Sequence, residues 1–226
     1  MTDRWTQSVR HQLGLGRLLP LGGARDGAWI AEEAAEAVLR RAVRGLRGVR
    51  LESLRIALAD PEAAHEPVVP PPPSALPPGP LRVSARFAAT AQEPLPTTAE
   101  RLRAGLATAA TELLGLAVAE VDLEVTALLD EEPEAPAVRQ PEPPSAVVAD
   151  DPAAAAALAV PGVAGLTAAL GQTVRSEAAL PRRHVRVEVA VDADHRALDV
   201  ARAVREQVGK ALPGHPTVAV LVTTVG

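Results

Sequence analysis

The chain has 226 residues, a net charge of −5 and no cysteine. Without cysteine there is no disulfide framework, no thiol nucleophile and no thiolate metal site, and a net negative charge gives no general attraction to phosphate backbones. Trp5, Trp29 and Phe87 are the only aromatic residues, so stacking of bases on rings is not an available way to hold nucleic acid, and the cores must be built from Leu, Val, Ile and Ala.

No segment reaches the roughly 18 apolar residues that span a bilayer, and the charged N-terminus does not read as a secretory signal. A cytoplasmic protein is expected, with no nucleic-acid partner and no transmembrane segment. The 22 prolines are clustered, which favours two small modules joined by linkers over one large domain.

Residues 1–27 read as an N-terminal arm. Residues 3–19 can be wound as a helix with Trp5, Val9 and Leu13 four apart, weakened by Gly14 and Gly16 and ended by Pro20. The arm either packs loosely on the protein or docks on a partner or membrane surface. A first α/β module is expected over 28–129. Its helix, 30–47, has an apolar stripe through Ile30, Ala34, Ala37, Val38, Val43 and Leu46. Glu32, Glu33 and Glu36 come early and Arg40, Arg41, Arg44 and Arg47 late, an order that complements the helix dipole. These arginines form either a solvated face or a basic strip for an acidic partner, with Arg40, Arg44 and Arg47 as candidates.

Gly48-Val49 then opens a strand in which Leu54, Ile56 and Leu58 alternate with Arg55 and Ala57. Residues 61–80, with four consecutive prolines at 70–73, are expected to be a disordered insertion, because proline cannot join a sheet interior. Residues 81–88 alternate cleanly, with Leu81, Val83, Ala85 and Phe87 on one face and Arg82, Ser84 and Arg86 on the other. A helix over 97–114 carries a Thr97/Glu100 capping-box pattern. A strand over 118–129 is expected to turn Val121, Leu123, Val125 and Ala127 inward and Asp122, Glu124 and Thr126 outward.

Residues 130–150 read as an acidic, proline-rich linker. The second module, 151–226, repeats the plan in shorter form. Asp151-Pro152 caps a short helix, and Gly162-Val163 stands where Gly48-Val49 stood. The first strand, 164–170, is weak, and a clear valine-rich strand follows over 184–191. Asp194 is expected to cap a helix over 195–212, before a last strand over 217–225. In both units one interval holds strand, capped helix and strand. The expected fold is therefore α/β (α+β), two repeats of helix-strand-strand-helix-strand, each a small sheet with helices on one face.

Little in the chain points to chemistry. The five histidines form no HxH or HExxH pair. Asp192, Asp194 and His195 are the densest polar cluster, at a strand-to-helix junction where Asp194 caps the helix or the cluster makes a weak cation site. Ser176, His195 and Asp199 lack a nucleophile-elbow context, and no phosphate-binding glycine loop is present. No catalytic, cofactor or metal residues are expected, and the chain does not read as an enzyme. The strand over 217–225 is apolar on both faces, so Ala219 and Leu221 meet either the other module, another chain or the interior of their own.

Gly48-Val49, Gly162-Val163 and the spacings in 34–46, 81–87, 102–113 and 118–128 resemble the alkaline shock protein family of the envelope stress response. The chain is similar in particular to its actinobacterial versions, sometimes labelled nucleopolyhedrovirus family proteins. The resemblance covers 28–129 and, less completely, 151–226. It implies a non-catalytic scaffold or adaptor at the cytoplasmic side of the envelope, bound to a family paralogue or a small membrane-anchor protein and prone to self-association. A regulatory module that binds a small ligand between paired α/β repeats is the alternative.

Overall fold

A computed structural model describes residues 16–133, 151–177 and 183–226. The fold is mixed α and β. In chain order its elements are β1 (Leu18–Leu21), β2 (Ala28–Ala31), α1 (Glu32–Val43), β3 (Val49–Leu58), β4 (Leu81–Thr90), α2 (Leu95–Thr108, prolonged by a π-type turn Ala109–Leu114), β5 (Val118–Leu129), α3 (Pro152–Leu158), β6 (Val163–Leu166), β7 (Val174–Glu177), β8 (His184–Val191), α4 (Ala197–Ala211) and β9 (Thr217–Val225).

The two expected repeats are present as topology. In a small sheet β3 runs antiparallel to β4, and β4 parallel to β5. In a larger sheet β6 runs antiparallel to β8, and β8 parallel to β9. The likeness extends to single hydrogen bonds. The ladder of β4 with β5 slips between Phe87 and Ala88, and that of β8 with β9 between Val189 and Ala190. The extra residue is a threonine in both. Thr126 Oγ1 donates to the Phe87 carbonyl (3.1 Å) and Thr223 Oγ1 to the Val189 carbonyl (3.3 Å). Gly48 and Gly162 both take a left-handed backbone, φ 71° and 88°, where a side chain is strained. A Cβ on Gly162 would also stand 2.6 Å from the His195 ring.

The weak first strand of the second repeat has a physical reason. β6 and β7 lie in line along one edge of β8, and together they do the work of β3. The chain leaves this edge after Thr167, whose amide donates to the Glu188 carbonyl, and returns at Thr173, whose carbonyl accepts from the Glu188 amide. Residues 164–170 are therefore half strand and half excursion, and β7 was not foreseen.

The N-terminal part departs most from expectation. Residues 1–15 lie outside the described residues, but 18–21 are strand, not helix. β1 and β2 form an antiparallel hairpin, and β2 pairs in parallel with β9 in the register Ala28↔Val220, Trp29↔Leu221, Ile30↔Val222. The larger sheet thus has six strands, and the division expected at 27/28 falls inside its hairpin. Ile30 and Ala31, expected in the first helix, are strand residues, so α1 starts at Glu32. Asp26 in the hairpin loop is held on α4 by Arg202 (2.8 Å).

The proline-rich insertion is not the free loop expected. Val69 is buried, and residues 74–76 run beside β1, where Leu76 N donates to the Leu18 carbonyl at 2.8 Å. Prolines cannot donate to a ladder, but their neighbours' carbonyls still accept. The Leu76 carbonyl takes the Trp29 indole N–H (3.2 Å), and those of Pro78 and Pro80 take His65 and Ala59 amides.

Helices touch both sheets. α1 packs on β9 and β3, α2 on β5, and α4 on β9 and on the π-type turn. One apolar cluster accordingly contains Leu54, Val83 and Phe87 from the first repeat and Val187, Val204 and Val220 from the second. The small sheet keeps helices on one face only, as expected. The larger sheet is buried on both faces, since every residue of β8 is buried. Asp151 caps α3 as expected, accepting from Ala153 N at 2.7 Å. The other two caps are corrected. α2 begins at Leu95 after Pro94 and α4 after Arg196, neither with a side-chain cap, so Thr97 and Asp194 lie off the cap positions.

Trp29 is 1% exposed and joins the hairpin to β9 and the proline segment. Trp29→Ala is expected to cost about 3–5 kcal/mol by urea unfolding. Trp29→Phe, which removes the indole hydrogen bond, should cost about 1 kcal/mol.

Candidate functional site

The outer face of the small sheet is built by alternation. β4 directs Arg82, Ser84 and Arg86 outward, and β5 places Glu120, Asp122 and Glu124 beside them in register. Arg82 Nε lies 2.6 Å from Glu120 and 3.4 Å from Asp122, and Arg86 Nε 3.3 Å from Glu124. These side chains are exposed, so each pair adds little stability. The bulge at Thr126 then reverses the alternation. Ala127, expected inward, pairs with Ala88 on the outer face, and Leu128 turns inward beside Ala89. At this end of β5, Val125 is 39% and Leu128 60% exposed.

The same face of the second repeat is closed. By register, His184, Arg186 and Glu188 replace Arg82, Ser84 and Arg86, and Thr217, Ala219 and Leu221 replace the three carboxylates. All but Thr217 are buried. Trp29 stands beside Leu221 on this face with Leu76 against its indole, and Leu170 N reaches Glu188 Oε2 at 3.0 Å. Ala219 and Leu221, candidates for contact with a partner, are both 0% exposed and covered by their own chain. Their two-sided apolar character reflects the added hairpin and the 167–173 excursion.

Glu188 is the most perturbed acid described. Burial pushes its carboxyl up from 4.5 to about 7, against the amides of Leu170 and Ala169 and the Arg186 guanidinium at 3.5 Å. With Glu188 0% exposed and its carboxylate held by Leu170 N and Arg186, its setting is that of a core pair.

A groove of about 440 Å³ runs between the start of α1 and β3, lined by Glu32, Glu33, Glu36, Arg40, Glu52 and Arg55 among others. Burial alone would raise the Glu32 carboxyl, but hydrogen bonds and charge from Arg17, 3.0 Å away, hold it below its ordinary value. Burial raises Glu36, four residues on; the charge of Arg40 opposes the shift and that of Glu32 adds to it. The two carboxylates therefore titrate apart. Glu32 is committed to Arg17 and to Ile56 N (3.5 Å), and Glu36 to Arg40 at 3.7 Å. In the sequence these acids read only as charges that complement the helix dipole; that Glu32 and Glu36 share one groove depends on β3 lying beside α1.

The other candidates are dispersed. Trp5, Val9 and Leu13 lie outside the described residues. Arg40 turns towards β3, donating to the Leu51 and Glu52 carbonyls at 3.4 Å. Arg44 and Arg47 are exposed with no ion pair among the described residues, so the basic strip shrinks to these two. His195 is exposed beside Gly162. Ser176 sits on β7 with Arg183, and Asp199 pairs with Arg196 and Arg202, so the three residues are not assembled. Among the described residues no three His, Cys, Asp or Glu side chains gather as a metal site.

Because the folded chain binds the Glu188 proton more tightly than the unfolded chain, this group's contribution is complete below about pH 4.5 and is lost as pH rises through about 7. Glu188→Gln should flatten the fall in unfolding free energy over that interval, measured by urea titration at stepped pH. An unchanged slope would refute the assignment. Compared with known proteins, the chain matches no family model, no curated protein and no solved structure.

Proposed function

We propose that the protein is a non-catalytic scaffold or adaptor that works through protein–protein contacts. One comparison carries this reading. Equivalent sheet faces were treated oppositely in the two repeats: the second is sealed by the chain's own hairpin and excursion, while the first is left open and charged. That difference supports a contact surface on the first repeat, where Val125 and Leu128 are exposed beside the charged face.

Two of the less exposed acids support the same reading: Glu32 is spent on Arg17 and Asp26 on Arg202. No helix described is long and apolar enough to cross a membrane. On this reading the protein sits in the cytoplasm and is attached to the envelope through a partner such as a small membrane-anchor protein or a family paralogue. Arg44 and Arg47, free of ion pairs among the described residues, are available to an acidic segment of that partner.

Light scattering on the eluting protein, with pull-down from native extract, is expected to yield an assembly larger than one chain or a stoichiometric protein partner. A strict monomer that retains nothing would count decisively against the proposal. The groove at α1 and β3 favours a second reading, the regulatory binding of a small ligand, within the first repeat and not between the paired repeats as expected. On that reading a metabolite panel should raise the melting temperature of the native protein but not of Glu36→Ala, and a panel without any shift would rule it out.

A further inference from the structure

An open strand edge presents unpaired N–H and C=O groups and must be paired, covered or defended. Three of the four sheet edges are covered or very short. Beside β3, Arg17 Nη2 donates to the Ile56 carbonyl (2.7 Å), the Ile56 amide reaches Glu32, and Arg40 takes the Leu51 and Glu52 carbonyls. Beside β1 lie residues 74–76. The edge beyond β8 consists of β6 and β7, four residues each. The fourth is β5, which runs twelve residues. Among the described residues it has no strand on its outer side, and one side chain from a helix meets its backbone, Arg103 at the Val121 carbonyl (3.3 Å).

The chemistry of β5 selects what can be added. Its outer face offers Glu120, Asp122 and Glu124 to two guanidiniums, Arg82 and Arg86, which leaves one carboxylate in excess. Its inner face offers Val121, Leu123, Val125 and the exposed Leu128. A second copy of β5 is a poor partner, since a two-fold pairing sets these carboxylates against one another, and like charges placed directly across strands destabilise.

We propose that β5 is the docking edge for an extended segment of a partner protein in which basic and apolar residues alternate. The segment adds a fourth strand to the small sheet by β-augmentation. Its apolar residues continue the inner face over Val125 and Leu128, and its Lys or Arg residues meet the carboxylates. β4 itself, with Arg82 and Arg86 between Leu81, Val83, Ala85 and Phe87, shows this pattern satisfying β5 from the other side. The inference rests on the adaptor reading and names its contact.

The test uses the full chain and a labelled peptide that copies residues 81–88, with a control peptide bearing glutamate in place of both arginines. The first is expected to bind, to protect the amides of 118–129 from hydrogen exchange, and to weaken severalfold as salt is raised. The glutamate peptide should bind about tenfold more weakly. So should the arginine peptide to the triple variant Glu120→Gln, Asp122→Asn, Glu124→Gln. Leu128→Lys, at a side chain exposed in the fold, supplies the same loss if the triple variant does not fold.

Equal binding of both peptides, protection confined to the groove beside Glu36, or full affinity in Leu128→Lys would overturn the proposal. So would sedimentation showing that the chain already dimerises with its 118–129 amides protected. If the peptide fails while a stoichiometric partner is still recovered, the edge assignment falls and the adaptor reading stands. If no partner is recovered and the chain is monomeric, the adaptor reading falls first.

Discussion

The parallel pairing of β2 with β9 joins the beginning of the chain to its end, at residues 28–30 and 220–222. Without it the second repeat would be a small sheet with a bare apolar face, built from a broken first strand. With it, β9 becomes an interior strand, Trp29 is placed over that face, and the hairpin loop reaches α4 through Asp26 and Arg202. α1 follows β2 without a break, so the same pairing also sets where the first repeat begins. A parallel pair with so long a connection carries a high closure cost in the unfolded chain. That cost is offset by near-complete burial of strands that would otherwise be half exposed.

The duplicated modules have diverged in how they use one surface. In both, a threonine occupies the bulge and bonds back to the neighbouring strand, and a glycine opens the first strand. Around that common frame, one outer face keeps arginines against carboxylates in water, and the other has become core. Glu188 stands where Arg86 stands in the first repeat, and burial drives it towards the protonated state. A buried carboxyl beside a buried arginine is weak evidence for stability. Its place is that of a polar position on a face which, in this repeat, the chain covers.

The distribution of acids follows the same division. Asp26 and Glu32 are buried enough to lose solvation, yet arginines more than compensate, and both stay ionised below the usual range. Each ties the N-terminal hairpin region to a helix or to the β3 edge. The acids of β5 hold nothing together that the fold needs, since their arginines are exposed and solvent screens the pairs. Acids in the first group position the sheets, and those in the second remain available.

Local pattern was enough for much of this architecture. The alternation in 81–88 and 184–191 and the valine-rich run 217–225 read directly as strand, Asp151-Pro152 as a helix start, and Gly48-Val49 as a strand opening, because each depends on neighbours two to four residues away. β1 and β2 are short, wholly buried and uniformly apolar, so they carry neither a period of two nor one of 3.6. The proline run shows that it cannot donate to a ladder, but not whether its carbonyls find donors. A single bulged residue, Thr126, exchanged the faces of Ala127 and Leu128, which no alternation rule anticipates.

The candidate sites divide in the same way. The opposite charges on β4 and β5 are visible in the sequence, but which edge remains open depends on what other elements cover. Arg40 reads as surface charge until β3 lies beside it, and Ala219 and Leu221 read as contact residues until Trp29 and the excursion close over them. By itself the sequence determined the two repeats and most of their strands, all but the broken first strand of the second, because those follow from local periodicity. Only the tertiary structure decided which of the two equivalent faces is covered, because that depends on contacts between residues nearly two hundred positions apart.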